Sequence, residues 1–214
     1  MKAPNMFYGR GLISFLLTVF RIVFFLSVFA TSILLITNMV SMFTNVPLSP
    51  PNFPVLFSLT NEGVFNSSSV IEESSFVFNE GMGYVSIVNP SKGMVVFRVI
   101  LTMLGAVCML VSLRQTILIL EAVKEARFLI IKNALRLRWI ALLGIAMFFF
   151  DKLSTLVSYA YFSDKLELSG VAFKKFNYFI LLNIEFIFYC LFLLVIAEAF
   201  RVGAQLQEET KLTI

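Results

Sequence analysis

Three ionisable residues stand where such residues are rare. Asp151, Lys152 and Glu185 lie inside long apolar runs of the chain. A charge near the centre of a bilayer costs about 2.5–3.5 kcal/mol on insertion scales, so such groups face a protein interior and pair. Asp151 precedes Tyr161 by ten residues, and Glu185 follows Phe176 by nine. At about 1.5 Å per residue, both would sit ~14–15 Å from the same side of a helical bundle. The spacing predicts a Lys152–Glu185 ion pair between antiparallel neighbours, with Asp151 either protonated or meeting Arg98 from another helix. Such a cluster could fix helix register, carry protons or ions, or set two carboxylates to acid–base work. Register is the expectation, because so few ionisable groups, with no broken helix beside them, do not make a route.

What is missing narrows the chemistry further. The chain has no His, so neither a Ser-His-Asp triad nor an imidazole metal site can be built. Cys108 and Cys190 each sit in an apolar run with no further metal-ligating residues nearby, which reads as packing thiols. No cofactor, no metal and no enzymatic activity are expected.

These charges need elements to hold them, and the composition says which. Of 214 residues, 59% are hydrophobic and 14% charged, and mean hydropathy is +0.90. A soluble domain carries roughly 45–50% and 25%. The expected fold class is an all-α membrane protein, a bundle of four transmembrane helices over about 21–43, 94–113, 139–161 and 176–200, each near the 20 residues a bilayer requires. The net charge of +4 does not imply direct nucleic-acid binding, because Lys and Arg flank the apolar runs as membrane anchors do. The N-terminal arm carries Lys2 and Arg10. The segment 114–138 carries Arg114, Lys124, Arg127, Lys132, Arg136 and Arg138, whereas 44–93 carries Lys92 against Glu62, Glu72, Glu73 and Glu80. This bias places both termini and 114–138 in the cytoplasm. The segment after the third span, with Lys165, Lys174 and Lys175, fits the rule less well.

The 44–93 segment is too long for a simple connector. After Pro47, Pro50, Pro51 and Pro54, the runs Val55–Thr60, Ser75–Asn79 and Tyr84–Val88 are rich in β-branched or aromatic residues, with turn signals at Asn61-Glu62-Gly63, Glu80-Gly81 and Asn89-Pro90. A small β-structured extracytoplasmic cap is expected. Asn66-Ser67-Ser68 matches a glycosylation triplet that is common by chance. From Ala106 through Leu143 there is neither Gly nor Pro, so the second and third spans should continue as helix into an amphipathic stretch. There Arg114, Glu121, Glu125, Lys132 and Arg136 would share one stripe. In the tail 201–214, Gly203 is expected to end the last helix, with Leu206, Leu212 and Ile214 as apolar anchors between charges.

Two sequence stretches carry a family resemblance. One is Asn133-Ala-Leu-Arg136-Leu-Arg138-Trp-Ile140. The other runs from Ala197-Glu198-Ala-Phe200-Arg201-Val-Gly203 through Leu206-Gln-Glu208-Glu209 to Leu212-Thr213-Ile214. With the four-span layout, they make the chain similar to a bacterial four-pass inner-membrane family of unknown function, often encoded beside a small Cro-like helix-turn-helix regulator. A Gly-containing turn with a Phe tends to precede the first motif in that family. Here Ala126-Arg127-Phe128 keeps the Phe without the Gly. The resemblance implies an architecture and a genomic setting, not a reaction. The expected function is a binding or regulatory protein of the bacterial inner membrane. It would engage a cytosolic partner through Arg114, Lys132, Arg136, Arg138, Leu206, Glu208, Glu209 and Leu212. The alternative is a transporter component using Arg98, Asp151, Lys152 and Glu185. Self-association stays open.

Overall fold

The computed structural model describes residues 7–44, 52–59, 62–65, 74–77, 81–87, 91–127, 129–162, 165, 171–172 and 184–212. The Asn66-Ser67-Ser68 triplet and the cluster Lys174, Lys175 lie outside them. Each long apolar run forms one helix: α1 (Phe7–Thr44), α2 (Lys92–Lys124), α3 (Ile131–Phe162) and α4 (Ile184–Leu212), of 38, 33, 32 and 29 residues. All four are long and apolar enough to cross a membrane. At 1.5 Å per residue they run roughly 44–57 Å, well beyond the ~30 Å of a hydrocarbon core.

Two sequence expectations change here. Glu125 caps α2 and a short turn leads to Ile131, so the charged stripe is split: Arg114 and Glu121 belong to α2, Lys132 and Arg136 to α3. Gly203 does not end α4, which continues as helix to Leu212. A Cβ at Gly203 would lie 3.4 Å from Leu129 Cδ2. The glycine marks a close approach of α4 to the α2–α3 turn rather than a stop.

The principal helix contacts follow chain order: α1 on α2, α2 on α3, α3 on α4. Small residues let α3 and α4 approach, as is usual between membrane helices. Ala141, Ala197 and Ala204 are buried. A Cβ at Gly144 would stand 3.0 Å from Cys190 Sγ, so Cys190 is a packing thiol, and both cysteines are free.

At the other end of the helices sits the β cap. β1 (Asn52–Leu59), β2 (Glu62–Phe65), β3 (Ser74–Val77) and β4 (Gly81–Ser86) lie between α1 and α2. Antiparallel β1 and β4 pair from Asn52↔Ser86 to Phe57↔Gly81, and β2 pairs with β3. Glu62 and Gly63, expected as turn residues, instead open β2, where partnership with Val77 and Phe76 outweighs local turn preference. Pro54 falls within β1, along the stretch where β4 alone borders it, a place that tolerates the missing N–H. A fifth strand was not foreseen. β5 (Val171–Ala172), from the segment joining α3 to α4, pairs with Ser58 and Leu59. The order β4-β1-β5 therefore ties the two interhelical segments of this end into one sheet.

Strand alternation aims Phe53 and Val55 at the helices. Both are buried with Met94 of α2 and Phe162 of α3, and Val85, Ile87, Val157 and Tyr161 pack around them. The Phe53 and Phe162 ring centroids are 5.3 Å apart.

The turn at the opposite end explains a missing glycine. Ala126 has φ 57°. Its N–H donates to the Val123 carbonyl at 3.0 Å, and the Arg127 N–H donates to the Ala122 carbonyl at 2.9 Å. This is a Schellman C-cap, whose left-handed residue is usually Gly. The position therefore carries the strain of a Cβ in left-handed backbone, about 1–2 kcal/mol. Ala126→Gly is expected to raise stability by ~1 kcal/mol, after the unfolded-state entropy of Gly is subtracted. Thermal unfolding in detergent checks it, and a lowered midpoint would refute the cap assignment.

Candidate functional site at the turn end of the bundle

Polar residues gather at one level, at the α2–α3 turn end. Measured from the cap end, Arg21 lies about 35 Å along α1 and Arg138 about 36 Å along α3. That is near the thickness of a hydrocarbon core. Among the described residues, a polar link joins each neighbouring helix pair there. Arg21 Nη2 of α1 donates to Glu121 Oε1 of α2 at 2.7 Å. Arg136 Nη1 of α3 donates to the Leu118 carbonyl of α2 at 3.0 Å and to Asn133 Oδ1 at 2.8 Å. Arg138 of α3 pairs with Glu198 of α4. Arg201, one turn on, donates to Glu198 Oε1 from Nε at 2.9 Å and Nη2 at 2.5 Å.

Asn133 is the buried centre of this arrangement, with no exposed surface. Its Nδ2 donates to the Arg127 carbonyl at 3.4 Å while its Oδ1 receives Arg136. It thereby ties the turn to the first helical turn of α3. A buried amide bonded on both sides offsets the desolvation of the group. The two stretches singled out by resemblance are thus one physical unit. Asn133, Arg136 and Arg138 come from the first, Glu198, Arg201 and Gly203 from the second, and they meet around the turn.

The intramembrane cluster expected from sequence is arranged differently. Lys152 Nζ lies 3.3 Å from Asp151 Oδ2, its chain neighbour. Among the described residues no ion pair joins Lys152 to Glu185. Lys152 also lies 5.4 Å from the Phe148 ring centroid, and Phe148 stacks on Phe186 of α4. The α3–α4 contact near Lys152 is therefore aromatic rather than ionic. Glu185 stands exposed in the first described turn of α4, and the Asp151 side chain is 70% exposed. Arg98 does not meet Asp151. It lies 5.2 Å from the Phe53 ring centroid, under the cap. Depth matching on two helices does not fix azimuth, and contact needs both.

The docking candidates divide as well. Arg136 and Arg138 are engaged inside the fold, and Arg136 points at a neighbouring backbone. Arg114 and Lys132 are exposed, as are Leu206, Glu208 and Glu209 on the last turns of α4. Leu212 is the last residue of the helix. Arg21, Glu121, Glu198 and Arg201, which hold these links, are not among the site residues expected from the sequence. The signal that could have found them is their shared depth and opposite sign on successive helices, with the i,i+3 spacing of Glu198 and Arg201.

Residues 84–214 match the family described as protein of unknown function (DUF2975), and the chain belongs to that family. No curated protein and no solved structure matches the chain. The matched region begins in β4 and includes α2, α3, β5 and α4, so it contains the Asn133 and Glu198 groups whole.

Asn133→Ala should destabilise the protein by ~2 kcal/mol, because it removes one of the two acceptors of Arg136 and the donor to the Arg127 carbonyl. Lys132→Ala, one residue away and exposed, should stay within about 0.5 kcal/mol. Unfolding of the two variants in one detergent checks this, and equal effects would remove Asn133 from its assigned role.

Proposed function

We propose that this member of a family of unknown function is a membrane-anchored docking protein of the bacterial inner membrane. In this reading both termini and the α2–α3 turn face the cytoplasm, and the projecting end of α4 binds a cytosolic protein. The observation that carries it is the course of α4. The helix is fixed to α3 through Glu198 and buries Ala204, and then runs free of burial from Gln205 to Thr210. Leu206 is 58% exposed there. Val202 and Leu206, four residues apart, line one exposed apolar stripe beyond that level, which Glu208 follows. A rigid helix with apolar anchors and acidic neighbours suits a partner with a basic rim around an apolar groove. A small helix-turn-helix regulator is the partner class that the family resemblance suggests.

The 70% exposure of Asp151 in a membrane-length helix favours a second reading, a component of an ion or small-molecule transporter. Asp151, Lys152 and Glu185 would then be its working groups.

Co-purification separates the two. The full chain and a chain truncated after Gly203 are expressed with a small helix-turn-helix regulator from the native host, beside reporter fusions after Lys124 and Ile214. Cytoplasmic reporter signals, with the regulator retained by the full chain and lost on truncation, are the expected result. Equal retention by both chains, retention by neither, or an extracytoplasmic signal at Ile214 would overturn the docking reading.

A further inference from the structure

Among the described residues, Arg98 is a cation without an anion. It lies on α2, six residues past Lys92, or about 9 Å into the helix, where the β cap meets the bundle. Its Nη1 is buried and has no hydrogen-bond partner among the described residues. Its guanidinium carbon sits 5.2 Å from the centroid of the Phe53 ring. Among the described residues no carboxylate lies within ion-pair distance of it. The buried or half-buried cations elsewhere have acceptors: Arg136 a carbonyl and an amide, Arg138 and Arg201 the shared Glu198, Lys152 the Asp151 carboxylate. An aromatic face offsets part of the lost hydration of a guanidinium, but it satisfies no N–H donor.

The surroundings point the same way. Lys92, at the start of α2, is exposed and has no ion-pair partner among the described residues. Lys165 Nζ stands 3.4 Å from the Tyr161 ring centroid. Tyr161 contacts Phe162, whose ring faces Phe53. A chain of rings thus runs from Lys165 to Arg98. Tyr84, 69% exposed, and Val96 leave this end open to its surroundings. Cations seated on aromatic rings at the end of membrane-length helices are where headgroups lie. A planar guanidinium offers the paired donors that a phosphate accepts.

The geometry points to Arg98 as the anchor of a binding site for a phosphate-bearing anion between α2 and the β cap, with Lys92 and Lys165 at its rim. The phosphate of an anionic phospholipid headgroup and free phosphate share this chemistry. The depth of Arg98 along α2 selects the headgroup. The site lies at the opposite end from the docking surface on α4 and stands or falls separately.

The test uses the full chain purified in detergent, with thermal unfolding followed as phosphatidylglycerol, phosphatidylcholine or inorganic phosphate is added, and native mass spectrometry of retained lipid. Phosphatidylglycerol should raise the midpoint of the wild-type protein and remain bound as a single copy, while phosphatidylcholine and inorganic phosphate do less. Arg98→Gln should weaken phosphatidylglycerol binding about tenfold or more, the loss of one charge-assisted pair. Arg98→Lys, which keeps the charge but loses the fork, should fall between and serves if the Gln variant does not fold. A response to inorganic phosphate equal to that of the lipid assigns the site to a soluble anion. No response in the wild-type protein, or an undiminished one in both variants, overturns the proposal.

Discussion

Lipid tails are as apolar as leucine, so nothing squeezes four lipid-facing helices together as water would. Specific contacts must choose the neighbours, and in this chain the choice is made mainly at one end. Arg21–Glu121, Arg136 with the Leu118 carbonyl and Asn133, and Arg138–Glu198–Arg201 each join one helix to the next. Their level along the helices keeps them near a headgroup plane. There charges retain part of their hydration while remaining less screened than on a free surface. Between these links, Gly144, Ala141, Ala197 and Ala204 allow close backbone approach. The hydroxyls of Thr155 and Ser158 return to carbonyls four residues back, so their burial leaves no orphan donor.

The far end is held by different means. Phe53 and Val55 insert between Met94 and Phe162, so the cap is fastened to α2 and α3 by apolar burial. The pairing of β5 with β1 brings the α3–α4 segment to the same sheet. A two-stranded unit alone is marginal in water. Here the sheet gains a third strand and a hydrophobic floor from the helices beneath it. Arg98 lies at this seam, and its Nη1 and the Ser112 Oγ are the buried side-chain atoms without a partner among the described residues.

Much of the fold was legible in the sequence. Long apolar runs announce four helices, and the absence of Gly and Pro from Ala106 to Leu143 announces that α2 and α3 outrun the membrane. The β character of the cap was readable from Val55–Thr60 and Tyr84–Val88. Other features were hidden for stated reasons. Residues 171–172 form a strand only because β1 offers a partner, so no local pattern marks them. Gly203 looks like a stop, yet its lack of a Cβ serves packing against Leu129. Ala126 adopts the conformation of the glycine that the family resemblance leads one to expect. In the candidate site, equal depth along two helices suggested a Lys152–Glu185 pair, but rotation about each axis decides contact, and Lys152 meets Asp151 and Phe148 instead. Arg138 and Glu198 were both visible as charges. Their partnership was not, because it depends on which helices are neighbours.

That dependence makes the Arg138–Glu198 link the place to measure. A double-mutant cycle of Arg138→Gln and Glu198→Gln, read by unfolding in detergent, isolates the coupling between α3 and α4. Glu198→Gln should be the more damaging single change, since it strands two guanidinium groups. The double variant should lose less than the sum of the singles, and raised salt should shrink the difference. Costs that simply add, or a Glu198→Gln variant as stable as the wild-type protein, would contradict the view that polar links at the turn end choose the neighbours of each helix.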